Sequence, residues 1–387
     1  MSFGSLSGNA IAALGRGAAR GGFYLDTGEG AISPHHSDSG ADLVWEIGSG
    51  YFGCRTTAGD FDEAAFRQQA SRDAVKMVEV KLSQGAKPGH GGILPRTKVT
   101  AEIANTRGVP VGETVVSPPA HSAFATPVEL IGFLDRLRSL SGGKPVGIKL
   151  AIGHPWEWFA IAKAMLETGS HPDFVVVDGA EGGTGAAPLE FINRLGMPLE
   201  EALLLVHNTL VGCDLRDRVR VAAAGRITSA FKIARVIGMG ADWCNAARGF
   251  MFALGCIQSL SCHTDRCPTG IATQDPLRAR GLDVGDKSAR VYNFHSNTLE
   301  ALRGLISASG LNHPSDLRPG HIMRRVSGNR VLSYAQLFDY LEPGELLRGV
   351  TDRPVFREYW TQARPDSFRE TEFGGPCSGA GAATTTG

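Results

Sequence analysis

The stretch GCIQSLSCHTDRCPTG, residues 255–270, places Cys256, Cys262 and Cys267 in a C-x5-C-x4-C array with Pro268 directly after the third. Thiolates at such spacing bind metal. A structural zinc needs a fourth nitrogen or sulfur ligand, and His263, the immediate neighbour of Cys262, would point away from the others. Iron–sulfur clusters are held by thiolates, and a proline after the last cysteine recurs in bacterial ferredoxin runs. Three thiols without a fourth therefore fit a cluster with three ligated irons. The plain alternative is three unrelated buried thiols, as expected of the scattered Cys54, Cys213, Cys244 and Cys377.

Other residues of chemical interest lie where apolar β-rich runs end or are interrupted. Lys149 breaks the run VGIKLAIG, and a buried ammonium is tolerated only when paired with an anion or an electron-rich acceptor. Lys87 in QGAKPGHGG and Arg107 twenty residues later could together bind a dicarboxylate; taken singly, each reads as a surface charge. AAAGRITSAF runs from a strand into a helix through Gly225, converging backbone N–H groups, Thr228 and Ser229 on one point, as an anion site requires. The next loop, CNAARGF, offers Ala246, Ala247 and Arg248 beside it. DGAEGGTGAAP concentrates Gly179, Gly182, Gly183 and Gly185 around Thr184 without the order of a dinucleotide fingerprint or the lysine of a Walker loop. A flat ring lying against backbone would explain it; a flexible surface loop is the alternative.

These loops need elements to position them. Eight short β-rich runs recur: MSFG (1–4), GFYLDTG (22–28), LVWEIG (43–48), KMVEVKLS (76–83), PVGIKLAIG (145–153), DFVVVDGAEGG (173–183), RVRVAAAG (218–225) and ADWCNAA (241–247). Several are almost continuously apolar, as parallel strands buried on both faces are, and amphipathic stretches such as TSAFKIARVIGMG separate them. The rhythm predicts a (β/α)8 TIM barrel ahead of an open doubly wound sheet. In a barrel the loops after the strands form the active face, and the loops after strands 7 and 8 are the recurrent phosphate site. VYNFHSNTLEALRGLISASG and SYAQLFDYLEPGELL predict a helical C-terminal extension.

Composition narrows the function class. In 387 residues the 39 basic and 39 acidic side chains cancel, so no global field favours nucleic acid or an anionic membrane. Apolar runs break well before the roughly 18 residues of a membrane span. The N-terminus lacks the pattern of a secretory signal, and seven cysteines over this length do not make a disulfide scaffold. A cytoplasmic location is the expectation. The 50 glycines fall mainly after the β-runs, and the tail GGPCSGAGAATTTG has nothing to pack.

MSFGSLS, TGEGA, QGAKPGHGG, GGTGAAP, VHNTLV, LRDRVRV, ALGCIQ, CHTDRCPTGIATQDP and the lysine of VGIKLAIG resemble the FMN-binding domain of glutamate synthase, in particular its short stand-alone homologues. The match runs from residue 1 to about 310, and the cysteine block is its most specific part. The resemblance implies a (β/α)8 barrel over 1–310 with an iron–sulfur loop at 255–275; beyond it, pattern and composition predict an extension over 311–373 and a disordered tail over 374–387. It implies FMN and a 3Fe-4S cluster, the cluster on Cys256, Cys262 and Cys267. FMN phosphate would lie at Gly225 and at Ala246, Ala247 and Arg248, with the flavin ring near Ser2, Gln84, Lys149, Gly182, Gly183 and Thr184. Lys87 and Arg107 match residues that grip the carboxylates of 2-oxoglutarate, and Glu29 matches the acid of the TGEG loop beside the flavin. The implied activity joins 2-oxoglutarate and ammonia into glutamate through 2-iminoglutarate, the cluster passing single electrons and the flavin delivering hydride.

Departures bear on the substrate. Ile93 in GGILP stands where the family reads a glutamine that would bind it, which leaves the 2-oxo acid open. Ala223, Ala224 and Gly225 stand where the phosphate loop reads DGG, and Ala31 replaces the third glycine of TGEGA. No glutaminase domain, glycine-repeat β-helix or reductase module accompanies the barrel, so a separate glutaminase subunit and a ferredoxin or NAD(P)H reductase are expected partners, in a homo- or hetero-oligomer. The chain also starts inside what would be the first barrel strand, so residues upstream of Met1 are expected to be absent. An N-methylglutamate synthase-like nitrogen transfer and a non-catalytic electron-relay subunit are the competing readings.

Overall fold

The computed structural model describes residues 1–86, 91–183, 187, 188, 190–349 and 351–370. Lys87, Thr184 and the expected tail over 374–387 lie outside the described residues. Eleven strands are formed among the described residues: β1 (Leu25–Asp26), β2 (Leu43–Ile47), β3 (Val75–Lys81), β4 (Ile93–Leu94), β5 (Val115–Val116), β6 (Val146–Leu150), β7 (Phe174–Asp178), β8 (Arg220–Ala224), β9 (Trp243–Asn245), β10 (Met323–Ser327) and β11 (Arg330–Ser333). Seven pair in parallel in the order β1-β2-β3-β6-β7-β8-β9, with helices between most neighbours. This is the α/β barrel arrangement that the β-rich runs predict.

Side-chain alternation sorts the barrel's two faces. Val78 and Val80 of β3, Val146 and Ile148 of β6, Val175 and Val177 of β7 and Val221 of β8 join the large core shared with the helices. Their alternates turn to the barrel axis, where Phe174, Val176, Ala222 and Ala224, with Met77 and Trp243, form a separate small cluster. Strand edges meet through side chains rather than a backbone ladder: the Trp243 indole N–H donates to Tyr24 Oη at 2.8 Å, and the Tyr24 hydroxyl donates to Asn245 Oδ1. Tyr24 immediately precedes β1 and both its partners belong to β9, so this pair of bonds closes the seam.

Local signals set the helices. Ser7 caps Gly8–Gly21 by accepting from the Ala10 N–H, and Gly22 ends it in the left-handed conformation at φ 67°. Thr126 and Glu129 form a capping box at the start of Pro127–Leu140. The expected helix of TSAFKIARVIGMG is formed over Ala230–Gly238 behind the Ser229 cap.

Two expectations are corrected. MSFG forms no strand: Gly4 at φ 97° turns the chain, and only an isolated bridge joins Phe3 to Leu6. The sheet therefore has seven hydrogen-bonded strands where eight were expected. The C-terminal extension is not simply helical either. The helix Val284–Ala308 is formed, but β10 and β11 pair antiparallel around Gly328 and Asn329, and SYAQLFDYLEPGELL yields only the short helix Tyr334–Leu337 and a 3-10 turn at Glu345–Leu347. A Gly-Asn step between two short runs that each include Val is a hairpin signal. The extension is tied back by polar bonds: Asn208 donates to Asp339 O and accepts from the Leu341 N–H, while Lys163 donates to Ala363 O. No helix among the described residues is long and apolar enough to cross a membrane.

Candidate active site

Charged residues occupy the axis-facing positions near the C-terminal ends of β2, β3, β6 and β7. Lys149 Nζ lies 2.8 Å from Glu46 Oε2 and 4.0 Å from Glu79 Oε1. Lys81, its rung partner on β3, lies 2.8 Å from Glu29 and 3.5 Å from Glu46, and donates to Gln84 Oε1 at 3.2 Å. The chain Glu29, Lys81, Glu46, Lys149, Glu79 thus alternates in sign across the mouth of the barrel. Its carboxylates are deeply buried, Glu46 at 3% and Glu79 at 1% exposure, where an unpaired charge would cost several kcal/mol.

The pKa shifts follow from this alternation. Burial pushes the Glu46 carboxyl up, but Lys149 and then Lys81 outweigh it and hold it well below the ordinary range. Glu29 is likewise lowered, the ammonium of Lys81 outweighing burial. Burial works against the Lys149 ammonium, but Glu46 and Glu79 raise it well above its ordinary value. Glu79, for which burial and the neighbouring Asp26 dominate, is raised, with Lys149 opposing that shift. Asp26, Glu46 and Glu79 have oxygens within 4.8 Å of one another. The Lys149 ammonium supplies the positive charge that such a cluster needs.

Around this chain the loops pack backbone to backbone. A Cβ at Gly85 would lie 1.8 Å from Gly179 O, and the Gly85 N–H donates to Asp178 Oδ2 at 3.1 Å. The loop after β3 is thereby fixed against the loop after β7. Gly182 and Gly183 continue that second loop, and a Cβ at Gly183 would lie 2.5 Å from Arg248 Nη2.

Arg248 opens the helix after β9, beside Ala246 and Ala247, and Arg226 follows Gly225 after β8. Gly225 has φ 141°, and Arg226 is held in the left-handed region at φ 47°, a costly conformation for a residue with a Cβ. The Arg226 Nε is buried without a partner, and among the described residues neither guanidinium forms an ion pair. Burial, and then the neighbouring Arg226 charge, lower the Arg248 pKa. Two converging guanidiniums with an orphaned donor, at the loops of the last two barrel strands, have the donor set of a phosphate cradle.

Ser2 and Arg107 form the other wall. Arg107, which taken singly reads as a surface charge, is 4% exposed. Its Nη2 donates to Ser2 Oγ at 3.0 Å and to Phe3 O at 2.9 Å, its guanidinium lies over the Phe52 ring, and its Nε is buried without a partner. Burial lowers its pKa to about 10.

The cysteines gather on the loop that follows the Arg248 helix. Burial and then the Cys267 and Cys256 charges raise the Cys262 pKa, so the three sulfurs share one neighbourhood. Burial opposes ionisation of Cys267, but the Thr269 hydroxyl, 3.4 Å away, and backbone N–H groups favour its thiolate on balance. A zinc with Zn–S bonds of about 2.3 Å would hold its sulfurs within about 4 Å of one another. Among the described residues the three cysteines are not so closely grouped.

The sequence model described as the conserved region in glutamate synthase matches residues 1–312. The chain belongs to the glutamate synthase family. It is 40% identical over 338 residues to the glutamate synthase large subunit-like protein YerD of Bacillus subtilis, covering 87% of this chain and 64% of that protein. The archaeal glutamate synthase [NADPH] of Methanocaldococcus jannaschii is 34% identical over 319 residues, 82% of this chain and 59% of that protein. The archaeal-type glutamate synthase [NADPH] of Thermotoga maritima is 32% identical over 319 residues, 82% and 60%. The chain thus spans about three-fifths of the length of these relatives.

Within this glutamate synthase fold, Glu29, Gln84 and Lys149 come together through Lys81 and Glu46, and Gly183 meets Arg248, while Ser2 meets Arg107. Ile93 lies on β4 at 47% exposure. Sequence reading missed Glu46, Glu79, Lys81 and Asp178. Glu46, Glu79 and Lys81 interrupt apolar β-runs as Lys149 does and Asp178 closes one, so the same signal would have found them. Arg226 gave no such signal; its importance rests on its left-handed backbone and its orphaned nitrogen.

Proposed function

We propose that this chain is the flavin-binding barrel of a glutamate synthase-type oxidoreductase, acting on the CH–NH2 group. In this reading it forms glutamate or a related amino acid by reductive amination of 2-oxoglutarate or a related 2-oxo acid. Partner proteins supply ammonia and electrons, a glutaminase for the first and a ferredoxin or NAD(P)H reductase for the second. The observation that carries the reading is the single barrel mouth that combines a buried alternating-charge chain with two unpaired guanidiniums.

Arg226, Arg248 and the backbone at Gly225 would hold the phosphate of FMN, and the glycines of the 179–183 loop would admit its ring against backbone. FMN, when bound, supplies hydride transfer and the conversion between one- and two-electron chemistry. Lys149 keeps a fixed positive charge at the mouth because Glu46 and Glu79 raise its pKa, which suits stabilising negative charge on a reduced ring. Glu29 is held ionised by Lys81, and Arg107 holds Ser2 in place. We assign Lys87 and Arg107 to the carboxylates of the substrate, and Cys256, Cys262 and Cys267 to a 3Fe-4S cluster.

Two measurements test this. The purified protein should release about one FMN per chain, and Arg226→Ala should bind FMN roughly 10- to 100-fold more weakly, the value of a charge-assisted hydrogen bond. After anaerobic reduction of the flavin, 2-oxoglutarate with ammonium should reoxidise it. Failure of a panel of 2-oxo acids with ammonium to do so would reject the catalytic reading.

A further inference from the structure

Lys98 is a buried cation that none of the assignments above uses. It ends the 3-10 turn Arg96–Lys98 at 2% exposure and is among the largest fully buried side chains. Its Nζ donates to Cys262 O at 2.7 Å and to Ser5 O at 2.9 Å, and among the described residues it forms no ion pair. Burying an ammonium against neutral carbonyls alone is costly. The charged and titratable groups that face it are Asp265, Cys262, Cys267 and Arg107.

Its two acceptors belong to different parts of the site. Ser5 lies on the 2–7 segment, whose far end is Ser2, held by Arg107. Cys262 lies on the cysteine loop, where Gln258, Leu260 and Asp265 all adopt positive φ, at 56°, 56° and 63°. Backbone held in that region persists only where its surroundings over-determine it. The same segment and loop are joined again by Ser7 Oγ to Gly270 O at 2.7 Å, and by Gln274 Nε2 to Gly4 O at 3.0 Å and Leu6 O at 2.8 Å. Ser7 and Gln274 are neutral; Lys98 is the member of this seam that brings a charge.

We infer that Lys98 is a positioning residue that locks the cysteine loop onto the Ser2–Ser7 segment and supplies the positive charge that makes the cluster on that loop easier to reduce. This rests on the reading of the three cysteines as cluster ligands. Reduction adds one electron to the cluster and breaks no bond, and a nearby fixed cation favours the more negative state.

The test uses the FMN-loaded protein with Lys98→Met, Lys98→Gln and Lys98→Arg, measuring iron per FMN and titrating cluster and flavin with dithionite. Lys98→Met and Lys98→Gln should either lose iron while keeping FMN or keep it with the one-electron equilibrium shifted at least tenfold against reduction, about 59 mV. Lys98→Arg should retain both iron and potential. Wild-type iron and potential in Lys98→Met, or in Lys98→Gln should the first not fold, would overturn the inference while leaving the cluster reading intact. A Lys98→Arg protein as impaired as Lys98→Met would overturn it too, as would loss of FMN from both neutral variants, which would make Lys98 a residue of the fold. A wild-type protein that carries FMN but no iron would overturn the cluster reading itself, and this inference with it.

Discussion

Replacing Lys149 by methionine is expected to lower the unfolding free energy by about 3–5 kcal/mol, the cost of breaking a buried ion pair from one side. Lys149 sits 2.8 Å from Glu46 and 4.0 Å from Glu79, and both carboxyls are buried. Without the ammonium, Glu46 must remain charged with Lys81 as its remaining ion-pair partner, 3.5 Å away and already engaged by Glu29, or take up a proton. Methionine fills most of the volume, so the loss reports charge rather than a cavity. Adding Glu46→Leu should recover part of it, and the coupling between the two substitutions measures the pair directly. Urea unfolding provides the readout, and a Lys149→Met midpoint equal to wild type would refute the alternating-charge account.

The pH dependence has a definite sign. Glu46 is held below the ordinary 4.5 in the folded protein. An unfolded chain therefore binds its proton first as acid is added, and the stability from this carboxylate is fully present above that value and lost as the pH falls below it. Lys149→Met removes the largest force holding Glu46 down, so the acid-side loss of stability should become shallower in the variant.

Cys262→Ser is expected to abolish cluster iron and its visible absorbance while leaving FMN bound. A hydroxyl is a poor substitute for a thiolate toward iron, and two thiolates do not complete a three-ligand set. The nitrogens assigned to FMN phosphate belong to Arg226 and Arg248, on the loops after β8 and β9, and neither is replaced. Cys213→Ala serves as the control: Cys213 is buried at the end of the helix Leu199–Gly212, outside the loop, and its variant should keep its iron. Iron retained in Cys262→Ser would remove the cluster from Cys262, and iron lost equally from both variants would attribute the loss to destabilisation.

Most of the barrel is legible in the chain because parallel strands buried on both faces leave a plain mark, near-continuous runs of Val, Ile, Leu and Ala closed by glycine. Six of the eight runs become strands of three to seven residues, and GFYLDTG contributes only Leu25 and Asp26. MSFG fails because its fate is not local. Arg107 and Gln274, both distant in sequence, take up its carbonyl groups, and Gly4 turns it out of extended conformation. The hairpin of β10 and β11 was legible in its Gly-Asn step, but its flanking residues are largely exposed and carry little hydrophobic pattern.

For the site, the sequence by itself determined which residue types are available: three closely spaced cysteines, a lysine interrupting an apolar strand, and glycines where loops must touch. Those follow from spacing and from the period of two along a strand, which are properties of the chain. Only the tertiary structure decided which charges neutralise one another. Lys149 is paired with Glu46 from 103 positions away, Arg107 is bound to Ser2 from 105 positions away, and Lys98 is bound to Cys262 from 164 positions away. A buried charge must find its partner wherever the fold brings one near, and nothing in the local sequence of a lysine or arginine records where that will be.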